Sequence, residues 1–224
     1  MIHDANFIHR DLHSGNILLS NGKFQIADLG LSQPANIISN SEIYGVIPYV
    51  APEILNGASF SQASDIYSLG MIMWELTTGC KPFAEIEHDV ALVYKIIDGE
   101  RPDITDDTPE CFADLMKRCW DSNPSKRPFI EEIYEAFSIW NESYKDRIRL
   151  YYSNFNNNNN YKYVEQLDRA EEKRLLSIGL GKLGPKFSDK PHPKSKYISR
   201  LISNPSSTNS NLFGKYLMLC INTI

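Results

Sequence analysis

The chain has 224 residues, a net charge of −5 (23 Lys+Arg against 28 Asp+Glu), 42% hydrophobic residues and 11% aromatic. That suffices for one core, or one domain plus a tail, and is too apolar for disorder throughout. No apolar run approaches the roughly 18 residues of a membrane span, the N-terminus lacks the basic start and apolar stretch of a secretory signal, and Cys80, Cys111, Cys119 and Cys220 lack zinc or disulfide-framework spacing, so a reducing, cytoplasmic setting is expected.

In chain order, Ile17-Leu18-Leu19 and Phe24-Gln25-Ile26 flank Ser20-Asn21-Gly22-Lys23. Asn-Gly between two apolar runs predicts a hairpin, because both central positions of the favoured turn take positive φ. From Gly30 to Tyr49 the chain is polar and aperiodic, which predicts a long loop of the kind that usually serves function. After the polar Ser61–Asp65, the stretch Ile66 to Leu76 reads as a helix apolar almost all round, as at the centre of a domain, with Gly79 as its stop and Pro82 beyond. Further helices are predicted near Asp89–Ile97, Glu110–Trp120 and Ile130–Trp140, with Asn123–Pro128 as a loop.

Near Asn141 the chain changes character. Residues 1–141 carry 21 Asp+Glu against 9 Lys+Arg, and residues 142–224 reverse the sign. The acidic part is unlike a nucleic-acid binder, and no nucleic-acid partner is expected. The basic part reads as solvated charge. It holds the homopolymer Asn156–Asn160, an isolated amphipathic helix near 164–176, and little expected structure from Ser177 on. The domain reading is therefore 1–141 followed by a basic, Asn-rich, largely disordered tail over 142–224.

Chemistry concentrates in Ile8-His9-Arg10-Asp11-Leu12-His13-Ser14-Gly15-Asn16, followed by Asp28-Leu29-Gly30 and later Ala51-Pro52-Glu53. An acid, an Asn five residues on and a second Asp across a hairpin suit metal–nucleotide phosphotransfer. Two oxygen ligands can clamp hard Mg²⁺ ions while a third orients an attacking hydroxyl. Each piece alone is weak, since an Asp before a turn is usually a cap and D-x-G is common in loops. Together, in this order and at these gaps, they resemble the signature of the eukaryotic protein kinases. Asp65 within Ser64-Asp65-Ile66-Tyr67-Ser68-Leu69-Gly70, and Cys119-Trp120 with Asn123-Pro124 and Arg127-Pro128, extend the resemblance over about residues 1–141.

The resemblance implies a mainly α fold, the kinase C-terminal lobe: a helical bundle with a small β-hairpin carrying the catalytic loop, without the N-terminal lobe. It implies ATP and Mg²⁺ as cofactors and a protein hydroxyl as acceptor. Asp11 would orient the acceptor hydroxyl, Asn16 and Asp28 would hold the metal, and Leu18 would pack under the adenine ring. His9 would be a packed structural histidine. Arg10 would receive an activation-loop phosphate, with Ser32, Ser39, Ser41 and Tyr44 as available acceptors. Asp65 would fix the catalytic loop's backbone, and Arg127 would pair with Glu53.

The sequence also departs from the family. His13 stands where Ser/Thr kinases carry Lys, and Val46 where they carry Thr after Gly45. The Ala-Arg and Arg-Ala-Ala variants of tyrosine kinases are absent too, while the docking segment Gly45–Tyr49 keeps the Tyr of Ser/Thr kinases. A tyrosine-kinase-like Ser/Thr enzyme is therefore the expectation. Leu29 replaces Phe, and Gly15 replaces the Glu of kinases that prefer basic substrates. With eight residues before His9, the glycine-rich loop and ATP-positioning Lys are not in this sequence. The chain alone is expected to turn over ATP poorly, and its nucleotide face to await an N-terminal lobe or a partner. The alternative is a non-catalytic, kinase-like interaction module, and sequence upstream of Met1 separates the two.

Overall fold

The helix that buries Trp74 organises the molecule. In the computed structural model, which describes residues 2–20, 23–37, 42–153, 161–180 and 191–202, this helix, α2, spans Gln62–Thr78. Ser61 and Ser64 cap its start reciprocally, and Gly79 ends it at φ 69°. Tyr67, Met71, Met73 and Trp74 are almost wholly buried along it. The Trp74 indole donates to the Asp103 carbonyl at 2.7 Å, so burying this side chain strands no polar group.

Helix α4 (Glu110–Cys119) packs directly on α2, while α1 (Pro52–Leu55) and α3 (Val90–Ile97) pack on each other within the same core. Asp89 caps α3 by accepting from Ala91 and Leu92 N–H groups. Helix α4 crosses α2 closely at Gly70, where a Cβ would sit 2.9 Å from Cys119 Cβ. The glycine is there for this approach, in a helix whose other positions favour side chains.

Six short strands form three antiparallel pairs among the described residues. β2 (Ile17–Ser20) and β3 (Lys23–Ile26) make the predicted hairpin, with Ser20 opposite Lys23 as a two-residue turn requires. The turn residues 21 and 22 lie outside the described residues. β1 (Phe7–Ile8) pairs with β4 (Gln33–Pro34), and β5 (Ile43–Gly45) pairs with β6 (Arg200–Ile202).

Three expectations change. The segment from Gly30 to Tyr49 contains β4 and β5 and runs into a 3-10 turn at Ile47–Tyr49, with Val46, Ile47 and Tyr49 in the core. Its loop character came from polar residues flanking a buried apolar run, Val46 to Val50. Ser39 and Ser41 lie outside the described residues. Helix α5 runs from Ile130 to Ser153, past the expected stop at Trp140. Helix α6 (Tyr161–Gly179) contains the expected 164–176 segment but is not isolated. Its Gln166 side chain accepts from Cys111 N–H at 3.0 Å, Arg174 lies 3.5 Å from Asp107, and Ala170 is buried. Among the described residues no helix is long and apolar enough to cross a membrane.

One ion pair ties the rim of this core. The Arg127 guanidinium, fully buried, meets both Glu53 carboxylate oxygens at 2.7 Å and donates to the carbonyls of Ala63 and Asp121 at 2.9 Å. It also lies 5.3 Å from the Tyr67 ring centroid. Fork-on-fork geometry plus two carbonyls leaves little of the guanidinium unsatisfied, which makes burial of the charge tolerable. Removing the carboxylate strands a buried cation at a cost of about 3–5 kcal/mol. Glu53→Ala is therefore expected to lower the melting temperature by several degrees in a thermal scan. An unchanged melting temperature would remove this bridge from the stability of the fold.

Candidate active site

The residues singled out by sequence meet at the N-terminal end of α2. Asp65, on the first turn of that helix, is buried, and its carboxylate accepts from His9 N–H at 2.7 Å and Arg10 N–H at 3.0 Å. His3 Nε2 lies 2.9 Å from the same carboxylate. Arg10 has φ +74°, a left-handed backbone that a long side chain rarely adopts. Two charge-assisted bonds to successive N–H groups hold that turn, which sets the direction in which Asp11 leaves it.

His9 is 2% exposed and bridges the two halves of the site. Its Nε2 lies 3.0 Å from the Ala27 carbonyl, and its Nδ1 accepts from Asp11 N–H at 3.3 Å. These bonds fit the neutral tautomer with its proton on Nε2. Asn16 Nδ2 donates to the Asp11 carbonyl at 2.9 Å, and the Asn16 carbonyl accepts from Ala27 N–H at 2.8 Å. Asp11, Asn16 and the residue before Asp28 are thus stitched together across the hairpin. Asp28 itself sits at φ 58° and accepts loosely from Gly30 N–H at 3.4 Å.

The departures from family pattern have structural companions. His13 Nδ1 accepts from Gly15 N–H at 3.1 Å, its Nε2 stands 3.8 Å from Asp11 Oδ2, and a Cβ at Gly15 would come within 2.8 Å of the ring. The folded-over imidazole at 13 occupies the space that a side chain at 15 would enter. Burial pushes the His13 imidazole below the ordinary histidine range, opposed in part by the Asp11 carboxylate. At neutral pH it is therefore an uncharged neighbour of Asp11. A cation approaches the loop from elsewhere: Lys81 Nζ donates to Ser14 Oγ at 2.6 Å and pairs with Glu75 at 2.6 Å. Glu75 in turn accepts from the Tyr49 hydroxyl at 2.7 Å, and burial with that carboxylate drives the tyrosine's pKa strongly upward. Sequence reading passed over Lys81 because it lies 67 residues from Ser14, with only its place after Gly79 as a signal.

Arg10's guanidinium lies 4.7 Å from the Phe60 ring centroid and 3.5 Å from the Leu31 carbonyl, next to Ser32. Leu18 is 53% exposed and Phe24 72%, with Leu19, Ile26 and Leu29 also open. Both faces of the β2–β3 hairpin are therefore uncovered among the described residues.

The oxygens fit a hard cation. Asn16 commits its amide nitrogen to Asp11 and leaves its Oδ1 for a ligand, and Asp28 supplies a carboxylate. A Mg²⁺ site of this kind takes one or two protein oxygens and completes its shell with water and phosphate. Among the described residues there is no cluster of three or more His, Cys, Asp or Glu that could hold a metal by itself.

Comparison with known proteins places these residues in context. The family profile of protein tyrosine and serine/threonine kinases matches residues 1–137. The chain is 36% identical over 137 residues to a probable serine/threonine-protein kinase of Dictyostelium discoideum, covering 60% of this chain and 8% of that protein. It is 36% identical over 141 residues to the dual specificity protein kinase shkA of the same organism, covering 59% of this chain and 27% of that protein. With the probable serine/threonine-protein kinase pats1, also of Dictyostelium discoideum, identity is 41% over 133 residues, 56% of this chain and 4% of that protein. The chain thus spans a small part of the length of these relatives.

The geometry makes Asp65 the residue on which the loop depends. Asp65→Ala would leave the buried His9 N–H without its carboxylate at a cost of about 1–3 kcal/mol, and the part-buried Arg10 N–H at less. A clear fall in melting temperature is expected, together with faster amide exchange at His9 and Arg10. Exchange at those two amides as slow as in the wild type would show that the carboxylate does not hold the turn.

Proposed function

Because the chain belongs to the protein tyrosine and serine/threonine kinase family, we propose that residues 1–141 form the metal- and substrate-binding C-terminal lobe of an ATP-dependent protein kinase, acting on Ser/Thr hydroxyls in signal transduction. The observation that carries this reading is the stitching of Asp11 to Asn16 at 2.9 Å, and of Asn16 to Ala27 at 2.8 Å, which presents Asp11, Asn16 and Asp28 as a group. Asp11 orients the acceptor hydroxyl and takes its proton. Asn16 Oδ1 and the Asp28 carboxylate hold Mg²⁺, which supplies charge neutralisation along the ATP phosphates. Leu18 offers an apolar floor to the adenine ring. His9 keeps the Asp11 and Ala27 backbones in register, and Lys81 brings an ammonium to Ser14 on the same loop. Arg10, beside Ser32, is suited to a phosphate on the segment after Asp28.

A second reading, a non-catalytic kinase-like interaction module, has its own support in the open hairpin. A two-stranded ribbon is marginal in water by itself, and a surface with Leu18, Leu19, Phe24, Ile26 and Leu29 exposed calls for a cover. In the catalytic reading that cover is a phosphate-gripping N-terminal lobe; in the alternative it is another protein.

The experiment is phosphoryl transfer to a generic protein acceptor by the native full-length polypeptide, with Asp11→Asn as the variant. Loss of the base is expected to lower the rate by about 10²–10⁴-fold while the melting temperature stays within a degree or so. A rate near that of the wild type would overturn the role of Asp11, and a wild-type protein without transfer would favour the interaction module.

A further inference from the structure

Residues 191–202, in the stretch from Ser177 where the sequence predicts little structure, carry β6 and a run of hydrogen bonds to residues 82–88. This segment lies along one continuous track. His192 N–H donates to the Ala84 carbonyl at 2.7 Å, and His88 N–H donates to the Lys194 carbonyl at 3.3 Å. The His88 ring bridges Phe83 and Lys196, with Nε2 at 3.0 Å from the Phe83 carbonyl and Nδ1 accepting from Lys196 N–H at 3.1 Å. Tyr197 donates its hydroxyl to the Pro82 carbonyl at 2.9 Å and meets the His88 ring edge-on at 4.7 Å. Lys194 pairs with Glu87 at 3.0 Å, and Arg200 donates to the His88 carbonyl. The track then ends as β6, with Arg200 opposite Gly45, Leu201 opposite Tyr44 and Ile202 opposite Ile43.

That end point is beside the chemistry. A Cβ at Gly45 would lie 3.7 Å from Asp11 Oδ1, and Arg200 is one strand spacing, about 5 Å, from Gly45. Tyr197 also lies under Lys81, whose ammonium is 5.8 Å from the ring centroid and bonds to Ser14 on the Asp11 loop. An extended polypeptide that brings a side-chain hydroxyl to Asp11 by way of Gly45 would meet the backbone groups of β5 and could pair with them. The tail already holds them.

We infer that residues 191–202 are a cis-acting cover of the acceptor-peptide surface: the β5 edge accepts an extended polypeptide by strand addition, and the chain's own tail occupies it. The inference deepens the kinase reading, since it names the surface that a protein substrate would use. Main-chain pairing gives such a site broad affinity, while pockets for alternate side chains give it preference. Here Ile202 fills a buried position beside Ile43. A tail tethered to its own site competes at a high effective concentration, so a free peptide is excluded until the tail lets go.

The test uses the full chain and needs no ATP, so it stands apart from any phosphoryl-transfer result. A fluorescent synthetic peptide with the sequence of residues 191–202 is titrated against the wild type, Tyr197→Ala and Leu201→Pro. The first variant loses the bond to Pro82 and the contact with His88. The second places a proline at the centre of β6 without touching the tyrosine. Both are expected to bind the peptide at least about tenfold more tightly than the wild type and to exchange the amides of Ile43–Gly45 faster. A degenerate serine-centred peptide library is expected to bind the two variants and to be displaced by the 191–202 peptide. Unchanged exchange at 43–45 in both variants would overturn the docking. Faster exchange without gain of peptide binding, or library binding indifferent to the 191–202 peptide, would overturn the shared surface. Docking that passes every arm in a protein without phosphoryl transfer would contradict the kinase reading alone.

Discussion

The Asp65 carboxylate is the fixed point of this molecule. It sits on the first turn of the most buried helix, and it spends both oxygens on the backbone of a loop more than fifty residues away in sequence. The loop's left-handed turn at Arg10 is intrinsically unfavourable by about a kcal/mol or more, so without that anchor Asp11 would point elsewhere. From the anchor outward each part is held by the next. His9 joins the Asp11 backbone to Ala27, Asn16 joins it to the hairpin, and Ser68 on the same helix donates to the Tyr49 carbonyl at 2.7 Å, fixing the segment that carries Gly45. The core of α2 supplies the rigidity, and its polar first turns convert that rigidity into the aim of a few side chains.

Much of this was legible from sequence, for identifiable reasons. The hairpin at Ile17–Ile26, the all-round apolar helix and its glycine stop were readable because each depends on local chemistry: an Asn-Gly turn, a periodicity, a cap. The meeting of His9, Asp11, Asn16 and Asp65 was readable only through family resemblance, since nothing local says that a carboxylate at 65 pairs with amides at 9 and 10. The Glu53–Arg127 pairing was likewise expected from the family and is present as a bidentate contact.

What escaped the sequence is what depends on contacts between distant and locally nondescript segments. Tyr197-Ile198-Ser199-Arg200-Leu201-Ile202 is rich in strand-forming residues, yet its setting among Pro, Lys and Ser hid it, and an edge for it to pair with becomes apparent only once β5 is placed. Helix α6 read as isolated because its apolar side is modest. Its attachment to α4 comes from Gln166 satisfying an N–H of the first turn there, which has no periodic signature. Lys81 was invisible for the same reason: its partners Ser14 and Glu75 are brought together by α2, not by spacing.

Under the proposed function, Asn16 and Asp28 would hold a metal–nucleotide beside Asp11. The most direct measurement is a titration of the chain with Mn²⁺ and ADP, followed by paramagnetic broadening of amide resonances in wild type and Asp28→Ala. The account predicts broadening centred on residues 16–18 and 27–30 in the wild type and its loss in the variant. Broadening centred instead on the acidic stretch from Asp98 to Asp114, or broadening that survives in Asp28→Ala, would contradict it.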